Sequence, residues 1–141
     1  MEHQLVVFAL GREEYGLPIT QVQEIIRYAA PRTVPSAFAA VRGVINLRGK
    51  ILPVCDLKRR LGLPAAGEEG KIAIVETSGG AAGLIVDEVT QVLTVDDAQV
   101  EPPPGTDAPH VRGVAKVDDR LILLLDPEQL LAELAGVALA A

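Results

Sequence analysis

The sequence predicts a mostly β protein built from two similar halves, each a small antiparallel barrel. Three observations support this prediction. The segment Val41–Asp56 has the pattern of strand, turn and strand, and Val111–Asp126 repeats it 70 residues later. A second repeat, at an offset of 67 residues, places Gly16-Leu17 on Gly83-Leu84. The apolar runs are short and joined by glycine turns without long crossover helices, which is typical of small antiparallel barrels rather than parallel sheets.

Length and composition limit the class of protein. The 141 residues can bury one good core or two small ones that share an interface, and 49% of them are hydrophobic, as in a globular chain. Aromatic residues make up only 3% and the net charge is -6, so the composition disfavours nucleic acid as a partner. The single cysteine, Cys55, cannot form an internal disulfide, and no apolar run approaches the roughly 20 residues of a membrane span. We therefore expect a soluble cytoplasmic protein.

The first half begins with a predicted hairpin. Leu5–Leu10 is an apolar run that indicates a strand, Gly11–Glu14 provides the turn, and Tyr15–Ile19 returns as a second extended run. Pro18 marks a strand end or a helix start, because proline is excluded from the middle of a sheet and tolerated in the first turn of a helix.

A short helix is predicted next. Ile19, Val22 and Ile26 recur at helical spacing, which indicates one or two helical turns. Residues 29–40 contain two prolines, and we expect a surface loop there with one helical turn at Ser36–Ala40.

The repeated segment follows. Gly43 inside a strand indicates a bulge or a close approach of another backbone. Ile51–Cys55 is apolar at most positions, as in a strand that is buried on both faces. Asp56 is a good N-cap for a short helix with Lys58, Arg59 and Arg60 near its end, and Gly62 suits the position just past the helix.

The second half restarts the pattern after a linker at Ala65–Gly70. Lys71–Glu76 and Gly83–Val86 are predicted strands around a glycine-rich turn, and the three extra residues of the second half fall in the proline-rich loop before Val111. A terminal helix is capped by Asp126, starts at Pro127 and closes at Gly136. The halves give two subdomains, about 5–63 and about 71–136, in a single domain of residues 1–141. A groove between them is the expected binding site, and the pattern leaves open which barrel the strand Leu5–Leu10 closes.

Residues for catalysis or metal binding are scarce. We interpret His3 and His110 as solvated loop residues, and Cys55 as a buried structural thiol that has no Cys or His partner at ligand spacing. The glycine-rich stretch Ser78–Gly83 lacks the lysine of a phosphate-binding loop and is followed by a strand, so we interpret it as a hairpin turn. The sequence thus predicts no catalytic residue, no metal site and no cofactor, which favours an interaction module over an enzyme.

Basic residues are concentrated in and after the repeated segment of the first half. In an otherwise acidic chain they form either a solvated face or a patch that binds a protein partner. The residues are Arg42, Arg48, Lys50, Lys58, Arg59 and Arg60.

Two motifs carry a resemblance to a known family. The segments EEYGLPITQVQEI and NLRG followed by ILPVCDL, in this order and spacing, resemble the CheW family of chemotaxis adaptors over about Leu5–Leu134. The resemblance implies two five-stranded SH3-like β-barrels with short helices and a C-terminal helix. It also implies a non-enzymatic scaffold that joins the cytoplasmic tips of chemoreceptors to the regulatory domain of the histidine kinase CheA. Such a scaffold is cytoplasmic and recruited to receptor arrays at the membrane, without inserting into it.

The resemblance also implies which residues bind partners. It points to Val22, Glu24 and Ile25, to Gly43, and to the turn residues Asn46, Arg48 and Gly49. Val22 and Ile25 suit an apolar contact with a partner, although core packing explains either one equally well. Glu24 and Arg48 carry opposite charges, and we hypothesise that they pair and hold the turn in shape for docking.

The second copy differs at the turn, and alternatives remain open. Val117-Asp118-Asp119-Arg120 replaces Leu47-Arg48-Gly49-Lys50, so the turn changes from basic to acidic and the two barrels should prefer different partners. The initiating Met and the absence of a receiver domain or kinase core favour a standalone adaptor. One alternative is an adaptor of a related, non-flagellar chemosensory pathway. The other is an enzyme on a small barrel, which would need a ligand or metal site that the sequence does not provide.

Overall fold

A computed structural model describes residues 1–33, 41–61, 70–78, 80–103 and 110–131. Two short α-helices, α1 (Leu57–Arg60) and α2 (Pro127–Leu130), and two 3-10 helices, Ile19–Gln21 and Asp97–Gln99, accompany eleven strands in these residues. None of the helices described is long and apolar enough to cross a membrane. The strands are β1 (Glu2–Leu10), β2 (Glu13–Pro18), β3 (Val22–Arg27), β4 (Val41–Leu47), β5 (Lys50–Asp56), β6 (Lys71–Thr77), β7 (Gly80–Val86), β8 (Glu88–Asp96), β9 (Val100–Glu101), β10 (Val111–Val117) and β11 (Arg120–Leu125).

The strands form two sheets, which confirms the predicted mostly β fold. The first sheet has six strands in the order β8-β1-β2-β11-β10-β9, and the second has five in the order β3-β6-β7-β5-β4. Each sheet contains one parallel pair, β2 with β11 and β5 with β7. The remaining strand pairs are antiparallel, as predicted for small antiparallel barrels, and these two parallel pairs were not foreseen. In each case the two strands come from different hairpins, so no tight turn forces them to run in opposite directions.

Each sheet takes strands from both sequence halves. The hairpin β1-β2 pairs with strands of the second half, whereas β6-β7 pairs with strands of the first. Equivalent strands occupy equivalent places, because Phe8 lies opposite Val89 in one sheet and Val75 lies opposite Val22 in the other. The strand that contains Leu5–Leu10 thus belongs to the sheet of the second half, a point that the sequence pattern left open.

The largest core cluster lies between the two sheets. It joins Phe8 and Leu17 of the six-stranded sheet to Val75 and Leu84 of the five-stranded sheet, and all four side chains are at most 1% exposed. A smaller cluster around Ile72 fills the five-stranded sheet, and another around Val7 and Ile122 fills the six-stranded one. Since apolar burial is the main favourable term in folding, the shared cluster makes the two sheets stabilise each other.

The predicted helix after Pro18 was wrong beyond its first turn. Only Ile19–Gln21 is helical, as a 3-10 turn, and Val22–Arg27 is a strand paired with β6. The sequence pattern misled because backbone pairing with a strand about 50 residues away outweighs local spacing. The predicted turn at Ser36–Ala40, most of the linker and the glycines Gly62 and Gly136 lie outside the described residues.

Both predicted aspartate caps are confirmed. Asp56 Oδ1 accepts a hydrogen bond from Lys58 N at 3.1 Å, and Asp126 Oδ1 accepts one from Glu128 N at 3.0 Å. Pro127 is the first residue of α2, where its missing N–H costs nothing.

Candidate docking site

A bidentate ion pair connects β3 to the tip of the β4-β5 hairpin. Arg48 Nη1 donates to Glu24 Oε1 at 3.2 Å, and Arg48 Nη2 donates to Glu24 Oε2. The predicted pairing of these two residues is confirmed. Hydrogen bonding from Arg48 lowers the pKa of Glu24, and the same contact raises the pKa of Arg48. The Arg48 side chain remains 68% exposed, so its guanidinium is accessible to a partner.

The hairpin turn needs its particular residues. Arg48 has a φ of 51° and Gly49 a φ of 88°, so both central residues are left-handed, as in a type I′ turn. Glycine adopts this backbone readily, whereas arginine does so at a cost. Asn46 Oδ1 accepts a hydrogen bond from Gly49 N at 2.9 Å and closes the turn. The NLRG motif therefore encodes the shape of the turn, and only Arg48 adds an exposed charge.

Val22 and Ile25 have different surroundings on β3. Val22 is half-buried and packs against the core cluster between the sheets. Ile25 is 38% exposed and is one of the few large apolar side chains at the surface of the described residues. The side chain of Ile25 is therefore accessible at the surface, whereas that of Val22 lies largely beneath it.

Gly43 is buried at a point where another segment of backbone lies close to strand β4. Strand β4 has a bulge between Val41 and Gly43, and Val44 exchanges hydrogen bonds with Arg32 at 2.8 and 2.9 Å. A Cβ at Gly43 would lie 1.9 Å from the Arg32 carbonyl oxygen, and the residue has a φ of 150°. The predicted bulge and the predicted close approach are both confirmed. Gly43 therefore allows the backbone of β4 to lie close to Arg32 and presents no side chain at the surface.

Exposed apolar residues at repeat-related positions were missed by the sequence analysis. Ile51 is 59% exposed, although Ile51–Cys55 was predicted to be buried on both faces, and its repeat partner Leu121 is 57% exposed. Ile25 and its equivalent Val92 form a second exposed pair. The repeat itself carried the signal, since an apolar residue recurs immediately after the turn in both copies. Strand β5 is buried on both faces only from Leu52 onward.

A cavity of about 480 Å³ lies beside this hairpin. Asn46 and Ile51 line it from the hairpin side, and Ala29, Ala30 and Arg32 line it from the segment after β3. An apolar side chain of a partner that reaches the hairpin would find a recess of suitable size here.

The basic patch predicted in the first half is largely neutralised. Arg42 Nη1 lies 3.4 Å from Asp56 Oδ2, and Lys58 Nζ lies 2.8 Å from Asp87 Oδ1. Arg48 is paired with Glu24, and the side chains of Arg59 and Arg60 lie outside the described set. Of the four predicted patch cations whose side chains are described, Arg42, Arg48 and Lys58 are therefore paired, and Lys50 is exposed.

The corresponding turn of the second copy has the opposite charge. Asp118 has a φ of 54°, so it adopts the backbone of Arg48 at the equivalent position. The arginine that follows, Arg120, is held by Glu14 through Nε at 2.9 Å and Nη2 at 2.6 Å. This contact, like that of Arg48, lowers the pKa of the carboxylate involved. The two hairpin tips thus present different charges on the same backbone.

The described residues that were considered for catalysis make separate contacts and do not form one site. His3 lies in strand β1 and contacts Asp97, so its prediction as a loop residue was wrong. Cys55 is buried, as predicted, at 1% exposure. Asp87 accepts a hydrogen bond from Gly11 N at 2.7 Å and pairs with Lys58, which ties the β1-β2 turn to α1. Among the described residues, no group of three or more His, Cys, Asp or Glu side chains could hold a metal ion.

Comparisons with known proteins agree on one family. A model of the CheW-like domain matches residues 4–135. The chain is 33% identical to a probable chemotaxis protein CheW of Rhizobium etli, with 94% of this chain and 89% of that protein covered. It is 34% identical to the chemotaxis protein CheW of Bacillus subtilis, with 91% of this chain and 86% of that protein covered. The crystal structure of scaffolding protein TtCheW from Thermoanaerobacter tengcongensis superimposes with a TM-score of 0.86 at 41% identity, covering 92% of each chain.

Proposed function

The chain belongs to the family of CheW-like proteins, and from this premise we propose that it is a non-enzymatic adaptor in bacterial chemotaxis. Its partners are the cytoplasmic tip of a chemoreceptor and the regulatory domain of the histidine kinase CheA. It works in the cytoplasm, as a single domain of two subdomains, at receptor arrays. The observation that best supports this proposal is the exposed β4-β5 hairpin. Asn46 and Gly49 shape its turn, and Glu24 holds the side chain of Arg48 in place. Such a preformed, rigid element suits protein recognition, because little conformational freedom is lost on binding.

The site residues divide into two roles. Glu24, Ile25, Asn46, Arg48 and Gly49 form the surface that a partner touches, with Ile25 as the apolar contact and Arg48 as the charged one. Arginine and large apolar residues dominate the energetics of many protein interfaces. Val22 and Gly43 are positioning residues, which keep β3 and β4 in place from below.

Calorimetric titration of the full chain tests the proposal. The ligands are the regulatory domain of CheA and a chemoreceptor cytoplasmic fragment, each in a separate experiment. We expect wild-type protein to bind both, and Arg48→Glu to weaken at least one of them by about tenfold, as for a central interface arginine. The matched control is Arg12→Glu, which makes the same charge change at the exposed β1-β2 turn. Lack of binding to both ligands would refute the adaptor, whereas equal binding by both variants would remove only the Arg48 hairpin from the site.

Exchanging the charges of Glu24 and Arg48 distinguishes a role in holding the turn in shape from a role in contacting the partner. Glu24→Lys should weaken binding with the fold intact, because it places like charges together at the turn. The double variant Glu24→Arg with Arg48→Glu restores an ion pair but reverses the exposed charge. We expect it to recover the amide chemical shifts of the hairpin without recovering partner affinity. Full recovery of affinity would mean that the pair only shapes the turn.

A further inference from the structure

The segment that follows β3 lies against β4 in the first copy, as β9 lies against β10 in the second. Arg32 pairs with Val44 in the first case, and Glu101 pairs with Val114 in the second. Val44 and Val114 are 70 residues apart, which is the offset of the repeat. Arg32 and Glu101 therefore occupy equivalent places, and a cation in one barrel replaces an anion in the other.

The two side chains differ in their partners. In the second copy, Glu101 Oε1 lies 2.8 Å from Lys116 Nζ, so the two charges neutralise each other. The residue equivalent to Lys116 in the first copy is Asn46, which is uncharged and whose Oδ1 already accepts a hydrogen bond from Gly49 N. Arg32 is exposed, and its side chain forms no hydrogen bond or ion pair with any residue that the structure describes. The first barrel thus has an available cation where the second has a neutral pair.

The cavity of about 480 Å³ beside the β4-β5 hairpin is lined in part by this cation. Apart from Arg32 and Asn46, its lining is apolar and consists of Ala29, Ala30, Val44, Ile45 and Ile51. Ile51 is 59% exposed, so water covers part of an apolar surface that would gain from being buried. No acidic residue is among the described residues that line the cavity. The site therefore combines an apolar recess with an exposed cation.

We propose that this recess binds a segment of a protein partner in which one large apolar side chain lies next to acidic residues. The apolar side chain fills the recess, and a carboxylate binds the guanidinium of Arg32 through two parallel N–H donors. The exposed guanidinium of Arg48, at the tip of the same hairpin, favours the same sign of charge. Charge complementarity thus selects an acidic segment here, although the chain as a whole carries a net charge of -6.

The two barrels would then accept segments of different charge. Because the proposal rests on the adaptor function proposed above, the segment belongs to a partner that reaches the β4-β5 hairpin. The equivalent places in the second copy hold Glu101 and Asp118 instead of Arg32 and Arg48. An acidic segment finds no available cation at those places, and this discriminates between the two barrels.

Peptide titrations test the recess without either protein partner. The probe is acetyl-Glu-Glu-Leu-Glu-Glu-amide, and two matched peptides replace all its glutamates by glutamine or its leucine by alanine. Amide NMR shifts of the isotope-labelled full chain locate each peptide, and we expect the shifts to concentrate at Ala30, Val44 and Ile51. The probe should bind about threefold more tightly than the glutamine peptide, as for one exposed charged pair. The alanine peptide should bind more weakly than the probe as well, because it cannot fill the recess.

Three variants and a control decide which groups are responsible. Arg32→Gln should remove most of the preference for the acidic peptide, and Ala30→Trp, at an exposed lining position, should abolish binding of all three peptides. Arg32→Glu introduces the residue that the equivalent place in the second copy already holds, so the fold should tolerate it, and the glutamine peptide should then bind more tightly than the probe. The control, Arg12→Gln, removes the same charge at the β1-β2 turn and should change nothing.

The outcomes separate this proposal from the adaptor function. The proposal is overturned if the probe shifts none of these residues, or if Arg32→Gln leaves the preference for the acidic peptide intact. Self-association of the free chain in sedimentation, abolished by Ala30→Trp, would assign the recess to a second copy and would also overturn it. Binding of CheA or the receptor fragment without any peptide effect removes this proposal alone, whereas peptide binding without either protein removes the adaptor function and leaves an acid-selective recess.

Discussion

Arg48 adopts a left-handed backbone that residues with a Cβ usually avoid. Its two hydrogen bonds to Glu24 reach across from another strand and hold the side chain in one direction. An exposed charge at a fixed position contributes to recognition more than to stability, because water already solvates both groups in the unfolded chain. At the scale of single residues, the hairpin tip therefore holds an exposed cation in a defined position.

The pKa of Glu24 reports on this contact. Arg48 lowers that pKa from its ordinary value of 4.5, so the pair stabilises the folded state above pH 4.5 and the contribution is lost as the pH falls through the lowered pKa. We expect Arg48→Gln to raise the pKa of Glu24 toward its ordinary value, measured from carboxyl carbon shifts against pH. Glu14, whose pKa is lowered by Arg120, should not change. If the pKa of Glu24 is the same in the variant as in the wild type, the pair does not form in solution.

Gly43 tests the role of a buried glycine. Gly43→Ala would place a Cβ 1.9 Å from the Arg32 carbonyl oxygen, and we expect the free energy of unfolding to fall by about 2–4 kcal/mol. The control is Gly11→Ala, where φ is also positive but no atom lies within 4 Å. It should cost only about 1 kcal/mol. Chemical denaturation measures both, and equal losses would show that backbone strain alone, without the clash, explains Gly43.

Single residues were predictable where a local rule applies. The caps Asp56 and Asp126 and the glycine bulge follow from backbone geometry within a few residues. The partial burial of Val22 and the exposure of Ile51 were not predictable in this way. They depend on which strand lies alongside, and that strand comes from elsewhere in the chain.

At the scale of elements, β3 is the informative strand. Its residues alternate between half-buried and exposed from Val22 to Arg27, as expected for an edge strand with one face on the core. The apolar spacing that suggested a helix combines Ile19, in the 3-10 turn, with Val22 and Ile26 in the strand. Periodicity cannot distinguish these cases over so short a stretch.

Two substitutions on β3 separate packing from docking. Ile25→Ser removes an exposed apolar side chain, so it should leave the melting temperature unchanged and weaken partner binding. Val22→Ala removes half-buried methyl groups from the core between the sheets and should lower the free energy of unfolding by about 1 kcal/mol. Thermal melts and the titration described above provide both readouts. If Ile25→Ser binds like the wild type, Ile25 lies outside the interface.

At the scale of the whole molecule, the sheets and the repeats do not coincide. The duplication was visible in the sequence because equivalent positions keep the same residues, such as Gly43 and Gly113. The pairing between halves was not visible, since the hydrophobic pattern of a strand does not specify its neighbour. The fold class was therefore predictable, whereas the parallel joints β2-β11 and β5-β7 were not.

Division of the chain at the sequence repeat should separate strands that need each other. We expect fragments 1–66 and 67–141 to be unfolded alone, because each lacks partner strands for both sheets. Mixed at equal concentration, they should regain the β-type circular dichroism spectrum and the amide shift dispersion of the intact protein. Independent folding of either fragment would contradict this expectation.

The reciprocal pairing of hairpins has a consequence for how the protein holds together. The first hairpin of each half pairs with strands of the other half, as in a domain-swapped dimer of two identical chains. In two separate chains this association would obey mass action and weaken on dilution. Because the two halves are covalently connected between residues 61 and 70, each half is present to the other at a high effective concentration that dilution does not change. The association of the two halves therefore does not depend on protein concentration, and the halves, unlike two identical chains, differ in the charge of their hairpin turns at Arg48 and Asp118.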